Sequence, residues 1–201
     1  GAALWAPDGV PVSAVQNQYK RAPVIAPDGA GGAIIAWNDL RQGDTTYWNV
    51  YAQKVDGDGN PQWAPEGVPV CRAALYQEQV TMCPDGAGGA IISWVDQRSG
   101  FKHIYSQRVD ADGNPKWKTD GIPICTSANS CIAPFVCHDG GTGAFVYWYN
   151  SPGTSTGITC YLQRIDSYFD FAAPACSASC RLFRAEDGQE VSRGFMNGCP
   201  Q

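Results

Sequence analysis

Hydrophobic and polar residues follow one pattern along this chain, and the pattern occurs three times. The segments GAIIAW (32–37) and GAIISW (89–94) are apolar on both faces, whereas VYAQKV (50–55) places polar residues among apolar ones. A strand buried on both faces is continuously apolar, and a strand with one wet face alternates. No helical period accompanies these segments, so the pattern predicts buried inner strands, half-exposed outer strands and no helices.

The pattern belongs to three sequence units with a period of about 54 to 58 residues. Each unit opens with a related phrase (WAPDGVPVS, WAPEGVPVC or WKTDGIPIC), continues through a glycine-rich turn such as PDGAGG, and closes on VYAQKVD, IYSQRVD or CYLQRID. We assign four strands to each unit: strand a at GVPV, strand b before the glycine-rich turn, strand c after it, and strand d at the closing phrase. The units are about 5–62, 63–116 and 117–166.

Sheets without helices to cover them must cover one another, which is how propeller blades pack. We therefore predict an all-β fold of three tandem four-stranded propeller-like blades over residues 1–166, with a disulfide-rich C-terminal extension over 167–201. Strand a is expected to lie beside strand b of its own unit, and strand d is expected to be the outer, half-wet strand.

The repeated residues W…GVPVC…DGxGGAxxxWxDxR…YxQRVDxxGNPxW resemble the tandem β-propeller-type repeats of large secreted bacterial surface proteins. The resemblance covers about 5–166. It implies the blade architecture and carries no shared catalytic motif. The third unit departs from the pattern, because Asn150 replaces the aspartate, Pro152 stands in the place of the arginine, and the DGNP turn is missing.

The composition excludes several classes of partner. Charged residues make up 16% of the chain, the net charge is −5, and no run of Lys or Arg occurs, which argues against a nucleic-acid partner. No apolar run has the length of a membrane span. Nine cysteines in 201 residues indicate an oxidising compartment, so we expect an extracellular or cell-surface location.

Four cysteines occupy equivalent places in the repeat. Cys71 and Cys83 end strands a and b of the second unit, Cys125 and Cys137 do so in the third, and in the first unit both places lack cysteine. Joint presence and joint absence predict the disulfides Cys71–Cys83 and Cys125–Cys137, and the alternative is that these cysteines are small buried free thiols. The pairing of the other five cysteines stays open: Cys131, Cys160, Cys176, Cys180 and Cys199. Their spacings favour disulfides over a metal site.

The turns between units carry oxygen ligands at alternate positions, as the start of a calcium loop does. The candidate calcium ligands are Asp56, Asp58, Asn60, Asp110, Asp112 and Asn114. The bidentate glutamate of such a loop is absent from both turns. The alternative, which we favour, is a hairpin turn in which Asp and Asn side chains satisfy backbone amides. Apart from calcium, no cofactor is expected.

A second candidate site follows strand c. A carboxylate, a guanidinium and an indole suit a sugar pocket, and the candidate residues are Trp37, Asp39, Arg41, Trp94, Asp96 and Arg98. The alternative, which we favour, is an ion pair that fixes the c–d loop over a core tryptophan. The segment GTSTG (153–157) matches the G-x-S-x-G motif of hydrolases, but it occupies a small-residue loop rather than a strand-to-helix turn. No catalytic residue is therefore assigned.

Three blades are fewer than the roughly four to eight that close a propeller, so apolar sheet faces should remain at both ends. We expect the chain to associate with itself, as a closed ring or an open stack. The leading hypothesis is a non-enzymatic extracellular structural or surface-assembly subunit, with filaments among its forms. A carbohydrate-binding (lectin-like) propeller module with glycan partners is the alternative, and a glycoside hydrolase is the third candidate.

Overall fold

The structure is a computed structural model that describes most of the first 166 residues and two short strands beyond them. The described ranges are 4–14, 19–41, 47–141, 143–152, 158–166, 180–184 and 190–194, and for the last two the backbone alone is described.

Thirteen strands and no helix occur in these ranges. They are β1 (Tyr19–Pro27), β2 (Ala33–Leu40), β3 (Asn49–Val55), β4 (Val68–Cys71), β5 (Gln77–Pro84), β6 (Ala90–Asp96), β7 (His103–Val109), β8 (Ile122–Cys125), β9 (Ser130–His138), β10 (Gly143–Ser151), β11 (Thr159–Asp166), β12 (Cys180–Arg184) and β13 (Glu190–Gly194). The all-β prediction is confirmed. None of the described residues belongs to a helix long and apolar enough to cross a membrane.

The strands form three antiparallel sheets, here called sheets 1, 2 and 3. Sheet 1 has the order β1-β2-β3-β4, sheet 2 has the order β5-β6-β7-β8, and sheet 3 has the order β9-β10-β11-β12-β13. The first strands β1, β5 and β9 lie next to one another, and sheet 2 lies between the other two. Glycine-rich turns join the first strand of each sheet to the second.

The placement predicted for strand a is wrong. The phrase that opens the second sequence unit forms β4, which pairs with β3 of sheet 1 and not with β5, and β8 relates to β7 in the same way. The cause is the DGNP turn, in which the Gly59 N–H donates to the Asp56 carbonyl at 3.0 Å, because such a tight turn makes strands d and a antiparallel neighbours. Each of the first two sheets is therefore completed by residues of the next sequence unit.

Strand d is not the half-wet outer strand that its alternating pattern predicts. It lies between two other strands, and its polar residues Gln53 and Gln107 are fully buried. The linker between β3 and β4 passes over Gln53. The Gln53 Nε2 donates to the Ala64 carbonyl at 2.7 Å, and the Gln53 Oε1 accepts from the Trp63 N–H at 3.0 Å. Gln107 does the same at the next linker. These buried side-chain amides form hydrogen bonds with backbone groups of the linker that passes over strand d. This explains why an inner strand carries polar residues.

The core consists of two layers, one on each face of sheet 2. Sheet 1 contributes Ile34 and Ala36 to the first layer, against Ile92 and Trp94 of sheet 2. The other face of β6 packs Ile91 and Val95 against sheet 3, and the sheet 3 side chains there are Ala144, Val146 and Trp148. Among the described sheets, sheet 2 alone is covered on both faces.

The outer faces of sheets 1 and 3 are therefore incompletely covered. Ile35 and Phe145, which the sequence pattern predicts to be buried, are only partly so. Tyr149, on the same face as Phe145, is 37% exposed. A strand that is apolar on both faces is expected to be buried on both faces. This expectation is correct for β6 but not for β2 and β10, because no described sheet covers the outer faces of sheets 1 and 3.

Candidate functional site

An aspartate closes the turn between the first two strands of every sheet. In sheet 2, Asp85 Oδ1 accepts backbone N–H groups from Ala87 and Gly89, both at 2.8 Å. Its Oδ2 accepts Arg108 Nε at 2.8 Å, so the turn is tied to the third strand. Asp28 with Lys54 in sheet 1 and Asp139 with Arg164 in sheet 3 repeat the arrangement.

Sequence reasoning did not single out these aspartates. Their signal is present, since a DG-containing turn and a Gln-Lys or Gln-Arg pair recur in each unit. Hydrogen bonds from Arg164 and from two backbone amides lower the pKa of Asp139 to about 2. The pKa of Asp28 is also lowered, first by the Ala30 N–H. The arrangement keeps a carboxylate ionised where it links a turn to a strand.

The Trp–Asp–Arg cluster of sheet 2 is centred on Asp96, whose carboxylate is fully buried. Trp94 Nε1 donates to Asp96 Oδ2 at 2.8 Å, and Arg98 binds both carboxylate oxygens, Nε at 2.8 Å and Nη2 at 2.7 Å. The Arg98 guanidinium lies 4.0 Å from the centre of the Tyr105 ring. Its Nη2 also donates to the Asp120 carbonyl at 2.7 Å.

This cluster joins sheet 2 to the linker that precedes β8. Gly121 in that linker lies on the Trp94 ring, where a Cβ atom would be 2.6 Å from the indole. Burial disfavours the charge on Arg98, but its bonds to Asp96 outweigh this and raise its pKa. The cluster is a compact, internally paired unit in which every member contacts another member or the linker.

Sheet 1 carries a related cluster in which Arg41 binds only one oxygen of Asp39, and among the described residues the buried atoms Asp39 Oδ1 and Arg41 Nε have no hydrogen-bond partner. Trp37 Nε1 donates to Asp39 Oδ2 at 2.8 Å, Arg41 Nη2 donates to that oxygen at 3.0 Å, and the Arg41 guanidinium lies 3.5 Å from the centre of the Tyr51 ring. Arg41 also donates to the Glu66 carbonyl. The contacts are those of the ion pair that fixes a loop over a core tryptophan.

A sugar pocket needs an exposed aromatic face, and these clusters do not offer one. Trp37 is 3% exposed and Trp94 is fully buried. The carboxylates of Asp39 and Asp96 are also enclosed. These six residues therefore offer neither an exposed aromatic ring nor an exposed carboxylate to a sugar.

The equivalent place in sheet 3 is incomplete. Asn150 occupies the aspartate position, and its Nδ2 donates to Ser127 Oγ at 2.8 Å. Among the described residues, neither Trp148 Nε1 nor Asn150 Oδ1 has a hydrogen-bond partner, although both atoms are buried. The loss of the aspartate therefore leaves a buried indole N–H without an acceptor, which costs stability.

The two DGNP turns use their side chains internally. Asp56 Oδ1 accepts the backbone N–H groups of Asp58 and Asn60 at 3.0 and 2.8 Å, and Asp110 accepts those of Asp112 and Asn114 at 3.1 and 2.8 Å. These contacts are those of the hairpin-turn alternative. In the described part of the chain, no three His, Cys, Asp or Glu side chains are grouped to hold a metal ion. Calcium binding at these turns stays an untested alternative.

The cysteine pairing differs from the one predicted. Cys125 is bonded to Cys131, and the predicted bonds Cys71–Cys83 and Cys125–Cys137 are both wrong. Cys71 pairs across β3–β4 with Val50, whereas Cys83 belongs to sheet 2, so the two cysteines are not on neighbouring strands. The same separation applies to Cys125 in β8 and Cys137 in β9. The misplacement of strand a caused this error.

The cysteines outside the disulfide have different surroundings. Cys71 Sγ lies 3.3 Å from Arg98 Nη2, and burial raises its pKa. Burial also raises the pKa of Cys83 to about 12. Cys137 is exposed, and Cys160 is partly buried. Of the remaining three, Cys180 begins β12, and Cys176 and Cys199 lie outside the described residues.

A Ser–His contact occurs in sheet 2, at a place the sequence motif did not indicate. Ser99 Oγ lies 3.1 Å from His103 Nδ1, and the Phe101 ring stacks on the imidazole. No carboxylate is hydrogen-bonded to this imidazole among the contacts of the described residues. The pair therefore lacks the third group that orients a catalytic histidine. The GTSTG segment, with Ser155, lies outside the described residues.

An open groove of about 550 Å³ runs across the first strands of all three sheets. Each of these strands carries a β-bulge with a non-glycine residue at positive φ: Ala22 at 50°, Gln79 at 52° and Ala133 at 51°. Gln79 Oε1 accepts the Ala133 N–H at 2.8 Å and so links sheets 2 and 3. Phe135 in the groove is 69% exposed. Sequence reasoning missed the bulges, whose only signal is the Ala-Pro pair found in two of the three strands.

Comparison of the chain with protein-family models, with curated proteins and with solved structures gives no match.

Proposed function

We propose that the chain is a non-enzymatic extracellular structural subunit whose three sheets are propeller-like blades and which assembles with copies of itself. The observation that carries the proposal is the offset between sequence unit and sheet. Sheets 1 and 2 receive their fourth strands from the next unit, so neighbouring sheets interlock through β4 and β8. The three sheets form a row, and further sheets can be added by the same contact where an opening phrase can take the place beside a strand of type d.

The repeated polar residues support a structural role. The turn aspartates bind backbone amides and a basic residue of strand d, and within each Trp–Asp–Arg cluster the residues bind one another while the arginine binds a linker. Repetition of these contacts in successive sheets preserves the sheets and the crossings between them. A catalytic or binding constellation would leave polar groups directed at an open site.

The outer faces of the row support self-association. Ile35 on the outer face of sheet 1 and Phe145, Tyr147 and Tyr149 on the outer face of sheet 3 are apolar or aromatic and incompletely covered. They occupy the register positions that, inside the row, face the neighbouring sheet. The strand β1 is also an open edge, in which Tyr19 is 76% exposed. Exposed edges and apolar faces are the surfaces through which sheets add to sheets.

An oxidising location agrees with the Cys125–Cys131 disulfide. This bond joins the end of β8 to the second residue of β9, at the crossing between sheets 2 and 3. Disulfides at such structural crossings persist mainly in extracellular proteins.

The proposal is tested by sedimentation velocity and negative-stain electron microscopy of the 201-residue chain, purified without reducing agent. We expect the sedimentation coefficient to rise with concentration and the micrographs to show closed rings or rows of uniform width. A chain that stays monomeric over the whole concentration range contradicts the proposal. A glycan array run in parallel identifies the lectin alternative, which gains support if a monomeric chain binds one glycan class.

A further inference from the structure

The chain has three opening phrases and three strands of type d, but only two phrase–strand pairs are formed among the described residues. The phrases of the second and third units provide β4 and β8, which pair with β3 and β7. The first phrase, WAPDGVPVS (5–13), has the same pattern of residues, yet residues 10–13 belong to no strand. The third d strand, β11, is not joined to any opening phrase.

The first phrase nevertheless contacts a DGNP turn in the same way as the phrase of the second unit does. Trp5 Nε1 donates to the Gly57 carbonyl at 3.0 Å, and Trp63 Nε1 donates to the Ala111 carbonyl at 3.0 Å. In both cases the indole lies over the glycine of the DGNP turn, Gly59 or Gly113, where a Cβ atom would meet the ring. The phrase therefore lies on the outer flank of sheet 1, as Trp63 and its phrase lie against sheet 2.

The edge of β11 has the residues that receive such a phrase. In sheets 1 and 2 a tyrosine of strand d faces the proline of the phrase: Tyr51 faces Pro69, and Tyr105 faces Pro123. The equivalent tyrosine is Tyr161, and it faces β12 at Arg184. The β11–β12 ladder contains only two residue pairs, Tyr161 with Arg184 and Leu162 with Phe183. Proline is tolerated in this place because a fourth strand is an edge strand.

The phrase and the β11 edge are at opposite ends of the row, because sheet 2 separates sheets 1 and 3. The phrase of one copy and the β11 of a second copy can meet only when the outer face of sheet 3 packs against the outer face of sheet 1. The apolar residues left on those faces, Phe145 and Ile35 among them, are then covered as their counterparts are inside the row.

We propose that residues 10–13 of one copy form the fourth strand of sheet 3 in a second copy, in place of β12. The register of β3–β4 places Ser13 opposite Cys160, Pro11 opposite Tyr161 and Val10 opposite Leu162. This inference rests on the proposed function and gives it a mechanism, which is head-to-tail strand addition. A head-to-tail contact forms a ring if its rotation closes and an open fibre if it does not.

The register is tested by disulfide trapping. In the Ser13→Cys variant of the 201-residue chain, oxidation under assembling conditions should link the introduced thiol of one copy to Cys160 of another. A non-reducing gel should show dimers and larger species, and peptide mapping should recover the linkage between positions 13 and 160. The matched control is Ser13→Cys with Cys160→Ser, which should lose the linkage but still assemble. Recovery of the linkage within a single chain overturns the assignment to a second copy.

A competitor peptide separates this inference from the proposed function. A synthetic peptide of residues 5–14 should occupy β11 and shift the sedimentation profile toward monomer, and the same peptide with Val10→Asp and Val12→Asp should not. If the chain assembles but neither trapping nor the peptide has an effect, strand addition is wrong and self-association stands. If the chain does not assemble at all, both proposals fail.

Discussion

Sheets 2 and 3 are built from the same sequence pattern, but only sheet 2 keeps the complete set of contacts. In sheet 2, Asp96 accepts the Trp94 indole N–H and binds Arg98, which in turn holds the linker at Asp120. In sheet 3, Asn150 binds Ser127, and the Trp148 indole N–H has no described partner. The carboxylate in sheet 2 thus binds both an indole and a guanidinium, whereas the amide that replaces it in sheet 3 binds a single hydroxyl.

The two crossings between sheets also use one cysteine position differently. At the end of β4 the position is Cys71, a thiol beside Arg98, and at the end of β8 it is Cys125, which is bonded to Cys131. Arg98 has no counterpart in the third unit, where Pro152 stands. The disulfide therefore fixes the crossing at the place where the arginine contact is lost. One crossing thus has an arginine–thiol contact and the other has a disulfide at the same position.

The largest expected difference between the sheets comes from removing the central polar residue. Asp96→Ala leaves Arg98 and the Trp94 N–H without their acceptor, so we expect a loss of about 3 kcal/mol in the free energy of unfolding. Asn150→Ala removes one neutral hydrogen bond and should cost about 1 kcal/mol. Urea denaturation of both variants measures the difference, and equal losses would remove the distinction between the sheets.

A second contrast uses two glycines that share a positive φ but differ in their surroundings. Gly121 has φ +87° and lies against Trp94, whereas Gly140 has φ +81° and no atom within 4 Å of the place where a Cβ would stand. Alanine at either place strains the backbone by about 1 kcal/mol. Gly121→Ala should cost about 1–3 kcal/mol more, because the methyl group overlaps the indole. Thermal unfolding of the two variants gives the difference, and similar melting temperatures would contradict the contact.

The covalent tether between sheets 2 and 3 should contribute about 2 kcal/mol, since it closes a short loop between residues six apart in sequence. Cys125→Ser with Cys131→Ser tests this by denaturation under oxidising conditions. The control is Cys71→Ser, which removes a thiol at the equivalent place without breaking a disulfide. A double variant as stable as the wild-type chain would argue that the crossing does not need the bond.

The smallest expected effect is the pH dependence of the turn in sheet 3. The folded-state pKa of Asp139 is lowered to about 2 by its bonds to Arg164 and the turn amides. Because the pKa is depressed on folding, the stabilisation is present above the unfolded-state value of about 4 and is lost as the pH falls toward 2. Arg164→Gln should weaken this acid dependence. Melting temperatures between pH 2 and pH 6 measure it, and an unchanged profile would assign the dependence to other carboxylates.

The sequence allows the strands and the period to be predicted but not the assignment of strands to sheets. Local patterns identify GVPV as a strand, yet its neighbour is set by the DGNP turn, whose tightness makes β3 and β4 a hairpin. The recurrence of tryptophan at the start of each unit marks the sequence repeat and not that hairpin. This one error produced the wrong disulfides and the wrong expectation for Gln53, whose burial depends on a linker crossing from the next unit.

The candidate site was predicted in part. Trp94, Asp96 and Arg98 are adjacent, as the W-x-D-x-R spacing on a strand end suggests, and the ion-pair alternative describes their contacts. Whether such a cluster faces solvent or a linker depends on Gly121, which belongs to a later linker and lies on the indole. Burial of this kind arises from long-range packing, which a local motif does not contain.

The central claim is that the buried aspartate, and not the tryptophan alone, makes the cluster a tether. A double-mutant cycle of Trp94→Phe with Asp96→Ala tests it most directly, with Trp148→Phe and Asn150→Ala as the parallel cycle. We expect a coupling free energy of about 1–3 kcal/mol in sheet 2 and a value near zero in sheet 3. Equal coupling in the two sheets, or none in sheet 2, would contradict the account.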